Sequence, residues 1–190
     1  MVKPSIMVAT THNPRPSIEQ LWNWLGQVPD PEIPAISIVD LGIVRDVAWT
    51  GGTGCDECVV TITPTYSGCP ATEVIGGQIR EALQSQGVER ISLQFQLSPA
   101  WTTDWIRPEA HQKLRDYGIA PPVGRSTDGR LEHAVDLSRL HRSPHPGPTV
   151  ACPRCASTDT ETVSQFGSTP CKALYRCKSC LEPFDYFKCH

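Results

Sequence analysis

Residues 151–180 read ACPRCASTDTETVSQFGSTPCKALYRCKSC, and this stretch decides how the chain is organised. It opens on Cys152-Pro153-Arg154-Cys155 and closes on Cys177-Lys178-Ser179-Cys180, two CxxC pairs with 21 residues between them. Two thiols in one tight turn face the same side, and two such knuckles supply four ligands to one tetrahedral ion. A disulfide framework has no need of two equal pairs at this spacing. Six of the nine cysteines fall in the last 39 residues. The tail therefore reads as a small β-rich zinc ribbon, with Cys152, Cys155, Cys177 and Cys180 as ligands and zinc as the expected structural ion. Cys171 and Cys189 remain as spare thiols, either bystanders or extra ligands for a cluster.

Outward from the ribbon, a chain of 190 residues leaves room for one further core of ordinary size. The net charge of −3 supplies no global basic field for nucleic acid or an anionic membrane. The apolar run in the opening MVKPSIMVATTHNPRP is too short for a signal peptide, and no later run is long enough to span a bilayer. Nine cysteines without such a signal suit a reducing compartment, so a cytoplasmic protein is expected. The 18 prolines mark the seams. Residues 1–16 read as a flexible lead, 17–120 as the main domain, 121–148 as a proline-rich linker and 149–190 as the ribbon. Within the linker, LEHAVDLSRL (131–140) has the pattern of a short helical turn formed on docking.

In the main domain, Ser17 and Gln20 form a capping box, and Ile18, Leu21, Trp22 and Leu25 repeat at helical spacing up to Gly26. DPEIPAISIVDLGIV (30–44) is turn-rich and then extended. Residues 43–49 and 58–63 read as a hairpin across a glycine-rich loop. TPTYSGCP (63–70) is a sharp break, after which Pro70 opens a helix running to about residue 86. Ile91, Leu93, Phe95 and Leu97 alternate with polar residues as a half-buried strand. A last helix spans about 108–117. These elements give an α/β (α+β) domain, a small mixed sheet with flanking helices, ahead of the ribbon.

Cys69 is placed at the N-cap of the 70–86 helix, where free amides and the helix dipole stabilise a thiolate. The alternative is a small cysteine packed under that helix. Asp30, Glu32 and Asp40 put three carboxylates in an apolar, proline-bounded segment, as ligands or as turn formers. Cys55 and Cys58 make a third CxxC without a helix start to activate it, and an incidental surface pair is expected. His133, His141 and His145 lie in the linker and His190 ends the chain, with no cluster among them. The ribbon's Phe166, Tyr175, Phe184, Tyr186 and Phe187 form either a miniature core or a client-docking patch. Five Lys/Arg against four Asp/Glu in 149–190 argue against a nucleic-acid face.

DPEIPAISIVDLGIV, then TPTYSGCPA, resembles the metal–sulfur cluster assembly domain family, which includes the SufT-type factors. QLSPAWTTDW (96–105), FGSTPCKALYRC (166–177) and EPFDYFKC (182–189) narrow the resemblance to PaaD-type phenylacetate-degradation proteins. The resemblance covers about residues 17–120 and 149–190. It implies an accessory or maturation subunit of the phenylacetyl-CoA epoxygenase (ring-1,2-epoxidase) system, without catalytic activity of its own. Cys69 stands where the family carries a reactive cysteine, with Asp40 or Glu32 beside it, to pass iron or an iron–sulfur cluster to oxygenase or reductase subunits. No nucleic-acid or membrane partner is implied, and a homodimer is compatible. The competing classes are an iron-containing redox carrier and a purely structural subunit of the same complex.

Overall fold

A computed structural model of the chain describes residues 15–51, 56–66, 68–124 and 149–189. The first element is helix α1, Ile18–Leu25. Ser17 caps it reciprocally: its hydroxyl accepts from the Gln20 amide at 3.2 Å, and its own amide donates to the Gln20 side chain at 2.8 Å. Two of the helix's orphan donors are satisfied in this way. The helical repeat puts Leu21 and Leu25 at full burial.

Residues 26–43 form a run of turns: the turn-rich opening expected from residue 30 continues to residue 43, and the extended backbone begins only at Val44. Side-chain caps take the place of a ladder. The Asp30 carboxylate accepts from the amides of Glu32 (2.9 Å) and Ile33 (2.8 Å), and Ser37 and Asp40 cap one another at 3.0 Å each way. The turns bury Ile33, Ile36, Ile38, Leu41 and Ile43 almost completely. Gly42 has φ +68, and a Cβ there would stand 2.5 Å from the Trp105 carbonyl oxygen, so only glycine fits.

The sheet that follows has order β1-β2-β3. β1 (Val44–Thr50) pairs antiparallel with β2 (Glu57–Ile62). Helix α2 (Ala71–Ser85) then crosses over to β3 (Ile91–Phe95), which pairs parallel with β2. The sheet is mixed, as expected. The alternating strand stops at Phe95, two residues short of Leu97. The Gln96 amide takes the carbonyl of Ile62, the last residue of β2, and no ladder remains beyond it. Phe95 and Leu97 are accordingly exposed.

Helix α3 (Pro108–Tyr117) starts on a proline and ends at Gly118 in the left-handed region. The next two residues, β4 (Ile119–Ala120), join a second sheet of order β4-β7-β6-β5, built with β5 (Thr160–Ser164), β6 (Lys172–Cys177) and β7 (Pro183–Phe187). The ribbon's edge strand thus comes from the α/β side of the seam expected at residues 120 and 121. The start of the linker is docked as well, since the Val123 amide donates to the Tyr186 hydroxyl at 3.4 Å. The 131–140 segment, the three linker histidines, His190 and Cys55 lie outside the described residues.

The two parts share a core. Phe187 and Cys171 of the ribbon pack into the same apolar cluster as Leu21, Ile33 and Ile75, and the Phe187 ring lies 6.1 Å from Trp101. Tyr175, Phe184 and Tyr186 fill a second cluster around Cys152 and Cys177, with ring separations of 5.4 and 5.9 Å. A client-docking aromatic patch is therefore not available. Four of the five aromatics are core, and Phe166 alone of them is exposed, under the Lys188 ammonium. Among the described residues, no helix is long and apolar enough to cross a membrane.

Candidate metal centres

The four paired cysteines converge. The ligand sulfurs of Cys152, Cys155, Cys177 and Cys180 all lie within 4.8 Å of one another. The Cys152–Cys180 sulfurs are 3.7 Å apart and the Cys155–Cys177 sulfurs 3.6 Å. A tetrahedral ion with metal–sulfur bonds of ~2.3 Å needs sulfur–sulfur edges of about 3.8 Å, so this donor set fits zinc or iron as it stands. Local chain geometry explains the convergence. The residue after each second cysteine, Ala156 (φ 60) or Leu181 (φ 66), turns left-handed and closes its knuckle. The Ala156 amide donates to the Cys152 carbonyl at 2.9 Å, and the Cys180 amide points at the Cys177 sulfur at 3.5 Å. Ser157 and Ser179, 2.7 Å apart, tie the knuckles together. These four cysteines form a metal-binding cluster.

A second group of donors gathers where the halves meet. Asp30, Glu32, Cys69, Cys171 and Phe187 line one small cavity, walled otherwise mainly by apolar residues of the α/β part. Its volume is about 20 Å³. Three segments build it. The turn at Pro31 brings the carboxylates, the break before α2 brings Cys69, and the chain entering β6 brings Cys171. Gly68, with φ +84, makes the tight turn that presents Cys69. The helix cap is Pro70, so Cys69 stands one position earlier than the sequence suggested. It is half-buried.

Cys171 is 4% exposed, and its thiol donates to Glu32 Oε2 at 3.5 Å and meets the Thr169 hydroxyl at 3.0 Å. Burial pushes this thiol up to about 11. The Thr169 hydroxyl opposes the shift and the Glu32 charge adds to it, so Cys171 is protonated at neutral pH. Burial also raises Asp30, against the two amides that its carboxylate accepts. The Tyr66 hydroxyl is buried without a hydrogen bond of ordinary geometry. Burial, the adjacent Cys69 thiol, and the charges of Glu32 and Cys171 push it up to about 12.

The structure thus brings Cys69 and Glu32 together and leaves Asp40 out. Asp40 is not on the cavity wall. It binds the Lys113 ammonium at 2.7 Å. Burial alone would raise its carboxyl, but Lys113 and the Ser37 amide and hydroxyl outweigh that and hold it below the usual carboxylate range. Its role is to hold α3 against the turn segment. Cys189 is exposed and donates to the Val123 carbonyl at 3.1 Å; it is neither among the four clustered ligands nor on the cavity wall. Cys58 is fully buried in β2, where burial lifts its thiol to about 11, so it does not belong to a surface pair. Sequence reasoning missed Tyr66, although it sits inside the quoted TPTYSGCP. It also missed Lys172, buried beside Asp185 at 3.7 Å, for which β-strand alternation gives no warning.

Comparison with known proteins gives two family matches and several similar proteins. A family model described as the PaaD zinc beta ribbon domain matches residues 139–188, and one described as iron-sulfur cluster assembly protein matches 18–93. An Escherichia coli K12 protein, named as a putative component of 1,2-phenylacetyl-CoA epoxidase, is 52% identical over 174 residues, covering 92% of this chain and 94% of its own length. Among solved structures, a domain of unknown function from Bacillus anthracis is 28% identical over 51% of this chain and 90% of its own, with a TM-score of 0.46. A conserved hypothetical protein from Thermotoga maritima is 27% identical over 53% of this chain and 95% of its own, with a TM-score of 0.44.

Proposed function

The chain belongs to the PaaD family, and on that footing we propose that it is an accessory subunit that matures a phenylacetyl-CoA epoxidase system. In this reading it delivers iron, alone or as an iron–sulfur unit, to oxygenase or reductase subunits and performs no epoxidation itself. One observation carries the proposal. Cys69 and Glu32, two of the three donors expected from sequence, line a single cavity at the junction of the two halves.

The division of labour follows from the chemistry of each donor set. Four thiolates at tetrahedral spacing saturate one ion and leave no open position, which suits a structural zinc. The cavity offers thiol and carboxylate donors on a half-buried wall, and a cargo held there remains open to a client's ligands. Transfer then needs only ligand exchange. Iron keeps its oxidation state, and each thiolate that lets go takes up a proton.

The test is Cys69→Ala in cells grown on phenylacetate. The expected outcome is normal abundance of the variant, with loss of phenylacetate-dependent growth and an iron-poor oxygenase system. Wild-type growth with fully metallated partners refutes the maturation role. A visible band in the anaerobically purified wild-type protein that bleaches with dithionite would favour an electron carrier instead.

A further inference from the structure

We infer that the cavity is a single-ion site shared by the two halves, in which Cys171 of the ribbon is the second thiolate beside Cys69 and Glu32. This rests on the maturation reading and narrows its cargo to one ferrous ion rather than a preassembled cluster.

Size decides between ion and cluster. A cavity of about 20 Å³ holds roughly one water-sized body, since one water needs ~10–15 Å³ on the same measure. An ion fits without rearrangement, whereas an iron–sulfide cluster would have to extend through the open mouth of the cavity. Donor type decides the class of ion. Two thiols and a carboxylate suit a borderline divalent metal, and they match neither magnesium or calcium nor a purely soft ion. Spacing decides the role. Among the described residues, the four ribbon cysteines are the one set of three or more donors within 4.8 Å of one another. The cavity donors are not such a set, so Cys69 and Glu32 must move inward to close on an ion and can move back to release it.

The surroundings of Cys171 mark it as a donor. Buried thiols ordinarily pack against apolar groups. This one is hydrogen-bonded to Glu32 and Thr169. Cys69, Glu32 and Cys171 all line the same cavity. Ligation leaves no proton on either sulfur: any thiol proton the ion displaces goes to solvent, and release to a client reverses the exchange.

The ribbon positions this donor through its own metal. Cys171 immediately precedes β6, and Cys177, a ribbon ligand, ends it. A six-residue strand spans about 20 Å, so one rigid element carries a ligand of each centre. Its partner β7 runs back from the second knuckle to Phe187 on the cavity wall, in register opposite Lys172.

The experiment uses the full chain with one zinc per molecule, titrated anaerobically with limiting cobalt(II) while native mass spectrometry verifies that the zinc stays. One further equivalent should bind, with thiolate-to-cobalt charge-transfer absorption. Cys171→Ala should weaken this binding by at least about tenfold and halve the band, with zinc content and far-UV circular dichroism unchanged. Cys171→Ser provides the same comparison should the alanine variant misfold. Wild-type affinity and intensity in the Cys171 variants overturn the inference. If Cys69→Ala still removes the cobalt, the maturation reading survives that result, and if it does not, both fall. Preferential uptake of an iron–sulfide cluster when sulfide is supplied overturns the single-ion assignment alone.

Discussion

The ribbon's four-cysteine centre and the junction cavity use the same side chain for opposite ends. In the ribbon, each sulfur is set by backbone turns within a few residues of it, and the four meet at the edge lengths of a filled tetrahedron. In the cavity, the donors come from segments as far apart as Glu32 and Cys171, they mix thiol with carboxylate, and they do not converge as a set of three or more. A local, saturated, homogeneous donor set keeps its ion. A non-local, unsaturated, mixed set can give one up. The contrast also sets an order of dependence, because the cavity requires a folded ribbon to deliver Cys171 and Phe187, while the ribbon's four metal ligands all lie within its own residues 152–180.

The largest effect is expected at the closed centre. Cys177→Ser should unfold residues 149–189, since ligation supplies on the order of ~10 kcal/mol to such modules. NMR spectra should then keep the α1, α2 and β1–β3 signals while the ribbon signals collapse. Retention of full metal content and ribbon shifts would erase the distinction between the centres. Next comes the joint between them. Phe187→Ala removes a ring that is 1% exposed and packed on Trp101, at a cost of about 3–5 kcal/mol in urea unfolding. Zinc should remain bound while the junction loosens, and simultaneous loss of zinc would mean that the two centres are not separable.

A smaller effect belongs to Asp40. Its carboxyl is held below the ordinary range, so its contribution is present above a pH of about 3.9 and fades as pH falls through the lowered folded value. Asp40→Asn should cost about 1 kcal/mol at neutral pH, because Lys113 is half-exposed and screened. The gap to the wild type should close in acid. A gap that stays constant with pH would show that the ion pair is idle. The smallest effect is Cys189→Ala, expected to change stability by under about 0.5 kcal/mol and cobalt binding not at all. A clear loss of cobalt would bring this thiol into the cavity set.

The ribbon was legible because its information is local. CxxC spacing, turn residues and alternation in LYRC and FDYF all act within a few residues of one another. Helix α1 was legible for the same reason, through Ser17 and Gln20. The cavity was only half legible. Cys69 and Glu32 could be nominated from their turns, but nothing in sequence separates Glu32, which faces the cavity, from Asp40, which faces Lys113. That choice is made by the packing of α3 against the turns, at a separation of 73 residues. The burial of Cys171 was equally hidden, since it depends on how the ribbon docks. The ribbon aromatics were ambiguous between core and docking surface until β4 was seen to complete the sheet.

The most direct test of the contrast is a release experiment on one sample. The full chain, with zinc in the ribbon and ferrous iron bound anaerobically in the cavity, is mixed with a chelator of moderate strength, and both metals are followed by native mass spectrometry. The account predicts two well-separated phases, a fast loss of iron and a slow loss of zinc that coincides with ribbon unfolding. Iron retained as long as zinc, or both lost in a single phase, would contradict it.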